Sequence, residues 1–200
     1  MALMQGTTKN NHQPYVKMLD DGTMVTSTSS FAVEEAQAIL GNAYTFCGEC
    51  KTAEASSGTL LYIKNLMDDE CIHITRCYFD SWTLTPTNLL LTQGFSSSTI
   101  SDGALATPKQ KNSGSAKSLD DTDCTFLISD GSSNIALTGD EALHAFHMPS
   151  KDSKQRHMAG TNIIAPGGEW YIGYKTEDAT NATDGETISL SINCYVKVPD

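Results

Sequence analysis

Cys47-Gly48-Glu49-Cys50 is a Cys-x-x-Cys spacing, which can support dithiol redox chemistry or supply half of a zinc site. Redox activity would place the pair at the start of a helix, where the dipole lowers a thiol pKa. Here the pair follows Tyr44-Thr45-Phe46 and precedes the polar stretch 51–57, a context that does not initiate a helix. A zinc site would need a second pair. Cys71 and Cys77 are available, but six residues along a strand set them too far apart to clamp one ion. Structural thiols are the expected reading. The same holds for all six cysteines (Cys47, Cys50, Cys71, Cys77, Cys124 and Cys194), which are expected to be free in a reducing compartment.

His144 and His147 would share a face on a helix but point oppositely on a strand, and the adjacent Pro149 and flanking turns favour a strand. A joint metal site is therefore not expected there, and His73 reads as a satisfied polar side chain. The acids Asp68-Asp69-Glu70, Asp120-Asp121-Thr122-Asp123 and Asp140-Glu141 fall in predicted turns, where solvated carboxylates belong. The second group could hold a loop calcium, but the EF-hand Gly and distal Glu are missing. There is no nucleophile elbow, phosphate loop or dinucleotide fingerprint. These readings assign no catalytic residue, no metal ligand and no cofactor, so an enzyme is not expected.

One local break in the charge balance stands out. Lys151, Lys154 and Arg156 lie within 151–157 and make up three of the thirteen Lys and Arg residues. The segment reads either as a solvated loop or as a contact patch for an acidic partner surface.

The 200 residues carry a formal net charge of -11, which argues against nucleic acid and against an anionic membrane surface as partners. Apolar residues make up 39% and charged residues 18%, leaving a Ser-, Thr-, Asn- and Gly-rich balance typical of β-sandwiches with long polar loops. No apolar run approaches the ~20 residues that span a bilayer. The opening residues lack the charged and apolar regions of an export signal, which predicts assembly in the cytoplasm.

The elements that would carry these residues are short strands. Expected strands lie near 43–47, 58–64, 71–82, 87–92, 124–129, 134–138, 142–148, 161–164, 169–175 and 186–198. The runs 58–65 and 71–80, joined by the acidic turn 66–70, read as two paired antiparallel strands. Within the second, Ile72, Ile74 and Arg76 are expected on one face, and Cys71, His73, Thr75 and Cys77 on the other. Leu190, Ile192, Cys194 and Val196 are expected to share a buried face. A Ser-, Gly- and Lys-rich insertion from 93 to 123 reads as an excursion at one end of the sandwich. Residues 1–30 read as a polar arm in which only Tyr15–Leu19 and Met24-Val25 could form strands. A helix is predicted over about 31–40, capped by Ser30 and Gly41, with an apolar stripe of Phe31, Ala32, Ala36, Ile39 and Leu40. The expected fold is an all-β antiparallel sandwich over 41–200, preceded by an arm and one short helix over 1–40.

Three segments stand out: Gly41-Asn42-Ala43-Tyr44-Thr45-Phe46, Leu60-Leu61-Tyr62-Ile63-Lys64-Asn65 and Ile72-His73-Ile74-Thr75-Arg76. A final expected hairpin completes the pattern, running from Asn162 through Pro166-Gly167-Gly168 and Trp170-Tyr171-Ile172-Gly173-Tyr174, and returning through 187–195. In these segments the chain from Gly41 onward resembles the jelly-roll-like decoration or cement proteins of tailed-bacteriophage heads. The resemblance implies a homotrimer on the outer capsid surface of a virion that bridges neighbouring major capsid proteins. Two other readings compete with it. One is a carbohydrate- or receptor-binding sandwich of a head or tail fibre, with Trp82, Trp170, Tyr171 and Tyr174 as stacking platforms. The other is a hydrolase or metal-dependent enzyme of cupin type, which would need His and Glu converging on adjacent strands and is disfavoured by the scattered histidines.

Overall fold

The computed structural model describes residues 3–5, 15–18, 24–26, 33–53, 57–81, 89–96, 100–137, 140–148, 153–176 and 186–198. The chain divides into two compact units, residues 1–33 and 34–200. In the first, β1 (Leu3–Gln5), β2 (Tyr15–Met18) and β3 (Met24–Thr26) pair in that order as an antiparallel sheet. The segment expected to be an extended arm thus carries a small sheet of its own.

The second unit opens with α1 (Val33–Ile39), whose first residue belongs to the first unit. Gly41 takes φ +74°, and its amide and that of Asn42 bond the Ala38 and Gln37 carbonyls. This left-handed residue ends the helix as the sequence predicts. The apolar stripe does not behave as expected. No residue of α1 is buried, and Ile39 and Leu40 are 62% and 61% exposed. Phe31 and Ala32 lie outside the described residues.

The strands that follow are β4 (Ala43–Lys51), β5 (Ser57–Asn65), β6 (Cys71–Ser81), β7 (Leu89–Ser96), β8 (Ile100–Ser101) and β9 (Ala104–Leu105). Next come β10 (Lys109–Gln110), β11 (Cys124–Ile128), β12 (Ala136–Leu137), β13 (Asp140–Met148) and β14 (Ser153–Ile164). β15 (Glu169–Thr176) and β16 (Thr187–Lys197) complete the set. One sheet has the order β10-β4-β16-β6-β14 and the other β13-β7-β15-β5-β11-β9, while β8 and β12 form a separate pair. Without β8 to β12, the pairs β7–β13, β6–β14, β5–β15 and β4–β16 nest inside one another, all antiparallel. A long hairpin with its tip at β7 and β13 has been wound into two four-stranded sheets, which is jelly-roll topology.

This winding corrects two expectations. β5 and β6 do not pair: β5 lies in the six-stranded sheet and β6 in the five-stranded one. β15 and β16 are likewise split between sheets rather than forming a final hairpin. The polar connections step between layers about 10 Å apart instead of turning back within one layer. Asn65, fully buried, fastens this end of the sandwich. Its side-chain amide donates to the Glu70 carbonyl at 2.7 Å and the Ile164 carbonyl at 3.0 Å, and its Oδ1 accepts from the Met67 amide at 3.0 Å. Its backbone exchanges bonds with Gly167 and Gly168. In that turn Gly168 donates to the Ala165 carbonyl with Gly167 at φ +71°, the type II geometry that Pro166-Gly167 favours.

Alternation in β16 follows the sequence: Ile188, Leu190, Ile192, Cys194 and Val196 are all buried. In β6 it breaks. Ile72 and Ile74 point into the core, but so do Cys77 and Phe79, while Arg76 is only partly buried. The register slips at this point, with Asn193 facing Arg76 and Cys194 facing Ile74. Thr75 is the extra residue of a β-bulge, which flips the parity of everything after it. β14 begins at Ser153, well before the expected 161, because the polar segment 153–157 pairs with β6. The 93–123 excursion is not confined to one end. β9 adds to the edge of the six-stranded sheet, β10 adds to the edge of the five-stranded one, and Leu119 enters the core.

The main core lies between the two sheets, with Trp170, Phe79, Leu60, Ile63, Ile72 and Ile192 almost wholly buried. Each such aliphatic side chain contributes roughly 1.5–3 kcal/mol relative to exposure. Phe46 on β4 meets Phe126 on β11 across the layers, ring centroids 6.3 Å apart. A second, smaller cluster of Tyr62, Tyr171 and Ile135 lies beside Leu127 of β11 and Ile100, the latter brought in by the insertion. No helix among the described residues is long and apolar enough to cross a membrane.

Candidate functional site

The Cys-x-x-Cys lies inside β4, so its two thiols sit three residues apart on a strand and face opposite ways. Cys47 is exposed beside the Ser191 hydroxyl at 3.3 Å, whereas Cys50 is buried. All six cysteines are free. Burial pushes the Cys50 and Cys194 thiols up to about 12 and raises Cys77 and Cys124 as well, which keeps these four protonated and unreactive.

His144 and His147 lie in β13, in register with Gln93 and Leu90, positions of opposite parity. The His73 ring stacks on Tyr195 with centroids 4.6 Å apart and planes 8° from parallel. Asp120 turns its carboxylate onto the Thr122 amide and hydroxyl, at 2.9 and 2.7 Å, so it caps its own turn. No cluster of three or more His, Cys, Asp or Glu that could hold a metal occurs among the described residues. Lys154 and Arg156 lie in β14 opposite Phe79 and Cys77, a strand position rather than the expected loop. Lys151 is outside the described residues, as is Trp82. Trp170, Tyr171 and Tyr174 are 0%, 1% and 2% exposed, so none of them stands on the surface as an open stacking platform.

A different set of residues forms a concave site. On the outer side of the six-stranded sheet, near the ends of β5 and β15, lies a cavity of about 420 Å³. Its floor is made by Thr59, Thr92, Tyr171 and Gly173. The register of β15 against β5 slips between Ile172 and Gly173. A Cβ at position 173 would meet Thr92 Oγ1 at 2.9 Å and the Gly58 carbonyl at 3.0 Å, so this floor tolerates no side chain there.

The walls are held by specific bonds. The buried Ser129 hydroxyl donates to the Thr59 carbonyl at 2.6 Å and accepts from the Ile135 amide at 2.9 Å, pinning the β11–β12 connection over the sheet. The Tyr174 hydroxyl lies 3.0 Å from the Ala53 amide and 3.1 Å from its carbonyl oxygen, fixing the segment after β4. Ser129 also accepts the Lys51 amide through its carbonyl at 2.8 Å. Lys51 and Lys175 line the cavity together with Ser57, and neither Asp nor Glu occurs among the described lining residues.

The sequence reading missed this site. The residues come from β4, β5, β7, β15 and the β11–β12 connection, and no local spacing joins them. The available signal was two lysines at strand ends in an acidic chain, an ordinary place for a solvated side chain. No protein-family model and no curated protein matches this chain.

Proposed function

We propose that this protein is a structural component of a bacteriophage virion that decorates the outer capsid surface and bridges neighbouring major capsid proteins as a homotrimer. The observation that carries the reading is the nested strand order, β4 with β16 through to β7 with β13, wound into two sheets. Viral capsid proteins use this architecture repeatedly, although lectins and cupins use it too. The division of the chain into compact units at residues 1–33 and 34–200 supports a division of labour between attachment and scaffold. The net charge of -11 suits a soluble surface component that meets its partner through local patches, with Lys151, Lys154 and Arg156 as the basic candidates for that contact. Neither nucleic acid nor membrane is a partner in this reading.

The test is co-sedimentation with empty capsids, together with the mass of the free protein in solution. Saturable binding by a trimer, reduced by deleting residues 1–30 or by replacing the three basic residues with Glu, supports the proposal. A monomer that leaves the capsids bare at low salt overturns it.

A further inference from the structure

We propose that the cavity on the outer face of the six-stranded sheet binds an acidic sugar residue, with Lys51 and Lys175 taking its anionic group and Thr59, Thr92 and Asn134 taking its hydroxyls. This goes beyond the capsid reading and does not depend on it.

Charge comes first. In a protein of net charge -11, two of thirteen basic residues line one cavity whose described lining contains no acid. Neither ammonium has a carboxylate within ion-pair distance among the described residues, where the ion pairs are Lys64–Glu169 and Lys111–Glu34. Asp130 lies close enough to feel Lys51, but its carboxylate is turned onto the Ser132 and Ser133 amides, each at 2.8 Å. Among the described residues the cavity thus gathers two cations and no acid, in a chain whose formal net charge is -11, and an anion gains there what such a chain otherwise denies it.

Size and lining come next. About 420 Å³ falls within the range of roughly 300–1,000 Å³ typical of small-molecule sites and far exceeds the space needed for one inorganic anion. Thr59 and Thr92 line the floor, and each carries a hydroxyl able to donate and accept. Asn134 Oδ1 is buried without a hydrogen-bond partner, an acceptor in want of a donor. A polyol supplies such donors in number, while an apolar ligand would leave Asn134 unpaired. The walls are pre-set, because the Ser129 and Tyr174 bonds fix them without a ligand. Gly173 keeps the floor low enough for a ring to lie against the sheet.

The experiment is a titration of the full-length, ¹⁵N-labelled chain, following amide shifts. The probes are glucuronate, galacturonate, N-acetylneuraminate and galactose 6-sulfate, with neutral glucose and galactose and inorganic sulfate as comparisons. The expected result is saturable shifts at Gly58, Thr92 and Gly173 with at least one acidic sugar. Its neutral counterpart should bind at least tenfold more weakly. Lys51→Gln with Lys175→Gln should weaken binding at least tenfold with the dispersed spectrum retained, and the Lys→Arg pair should keep it. No shift at those amides with any acidic sugar overturns the proposal. So does equal affinity for sulfate alone, or unchanged binding by the Gln pair. Any of these failures leaves the capsid reading standing, since that is measured on capsids.

Discussion

The Thr75 hydroxyl lies 2.8 Å from Glu34 Oε2 and 3.1 Å from the Asn193 carbonyl, so the bulge in β6 and the helix meet at one atom. Lys111 from the excursion closes the arrangement through its ion pair with Glu34. A seven-residue helix with no buried side chain is thus held to the sandwich by a carboxylate rather than by an apolar stripe.

This dictates an acid-sensitive attachment. Burial raises the Glu34 pKa, but the Lys111 and Thr75 bonds and the charges of Lys111 and Arg76 outweigh it and hold the carboxyl below its ordinary 4.5. A carboxyl depressed in the folded state stabilises the fold above its unfolded pKa and loses that contribution as pH falls through the folded one. Glu34→Gln should therefore cost about 1 kcal/mol at neutral pH. Urea melts at stepped pH should show the gap from the parent protein closing below pH 4.5. A gap that stays constant down to pH 3 would mean that the charge contributes nothing.

Asn65→Ala should be among the most damaging single changes, at about 3 kcal/mol, since it strands the buried Ile164 carbonyl together with the part-buried Glu70 carbonyl and Met67 amide. Denaturant melts would measure this loss. Asn65→Asp should not rescue it, because a carboxylate cannot donate to the Glu70 and Ile164 carbonyls.

Ser129→Ala should cost about 2 kcal/mol by leaving the Ile135 amide and the Thr59 carbonyl without their partner. Hydrogen exchange should speed up at Ile135 more than at Ile192 in the core. Uniform acceleration would indicate a general loss of stability instead of a loosened cavity wall.

Alkylation without reductant should modify Cys47 alone in the native protein, because the other five thiols are buried. Six additions should appear after denaturation. Fewer than six would reveal disulfides, and rapid native labelling at Cys50 or Cys194 would contradict their raised pKa values.

Much of the scaffold was legible because apolar periodicity is a local property. Ile188 through Val196 alternates without a break and is buried as it reads. Gly41 and Pro166-Gly167 end and turn the chain where their backbone preferences dictate. Pairing was not legible. The turn 66–70 is equally polar whether it reverses within a sheet or steps to the opposite one, so β5 and β6 passed for a hairpin. The Thr75 bulge leaves no mark in composition, and it alone reversed the assignment of Arg76 and Cys77. The segment Ser153–His157 is rich in Lys, Gln, Arg and His, residue types that do not announce a strand, yet charged residues are common on the edge position that β14 occupies. The cavity depends entirely on that unseen pairing, since Lys51 and Lys175 become neighbours only once the sheets are wound.

Nesting also fixes the order in which the molecule can come into being. β4 leaves the ribosome early, but its long partner is β16, and β6 waits for the same strand. The five-stranded sheet therefore has a gap at its centre until residue 197 has been synthesised. Until then β4 and β6 present unpaired edges carrying Phe46, Ile72 and Phe79 to their surroundings. Long-range closure of this kind is slow and exposes nascent chains to aggregation. The net charge of -11 keeps such chains apart while they wait, so chains stalled before β16 should be the species that chaperones hold.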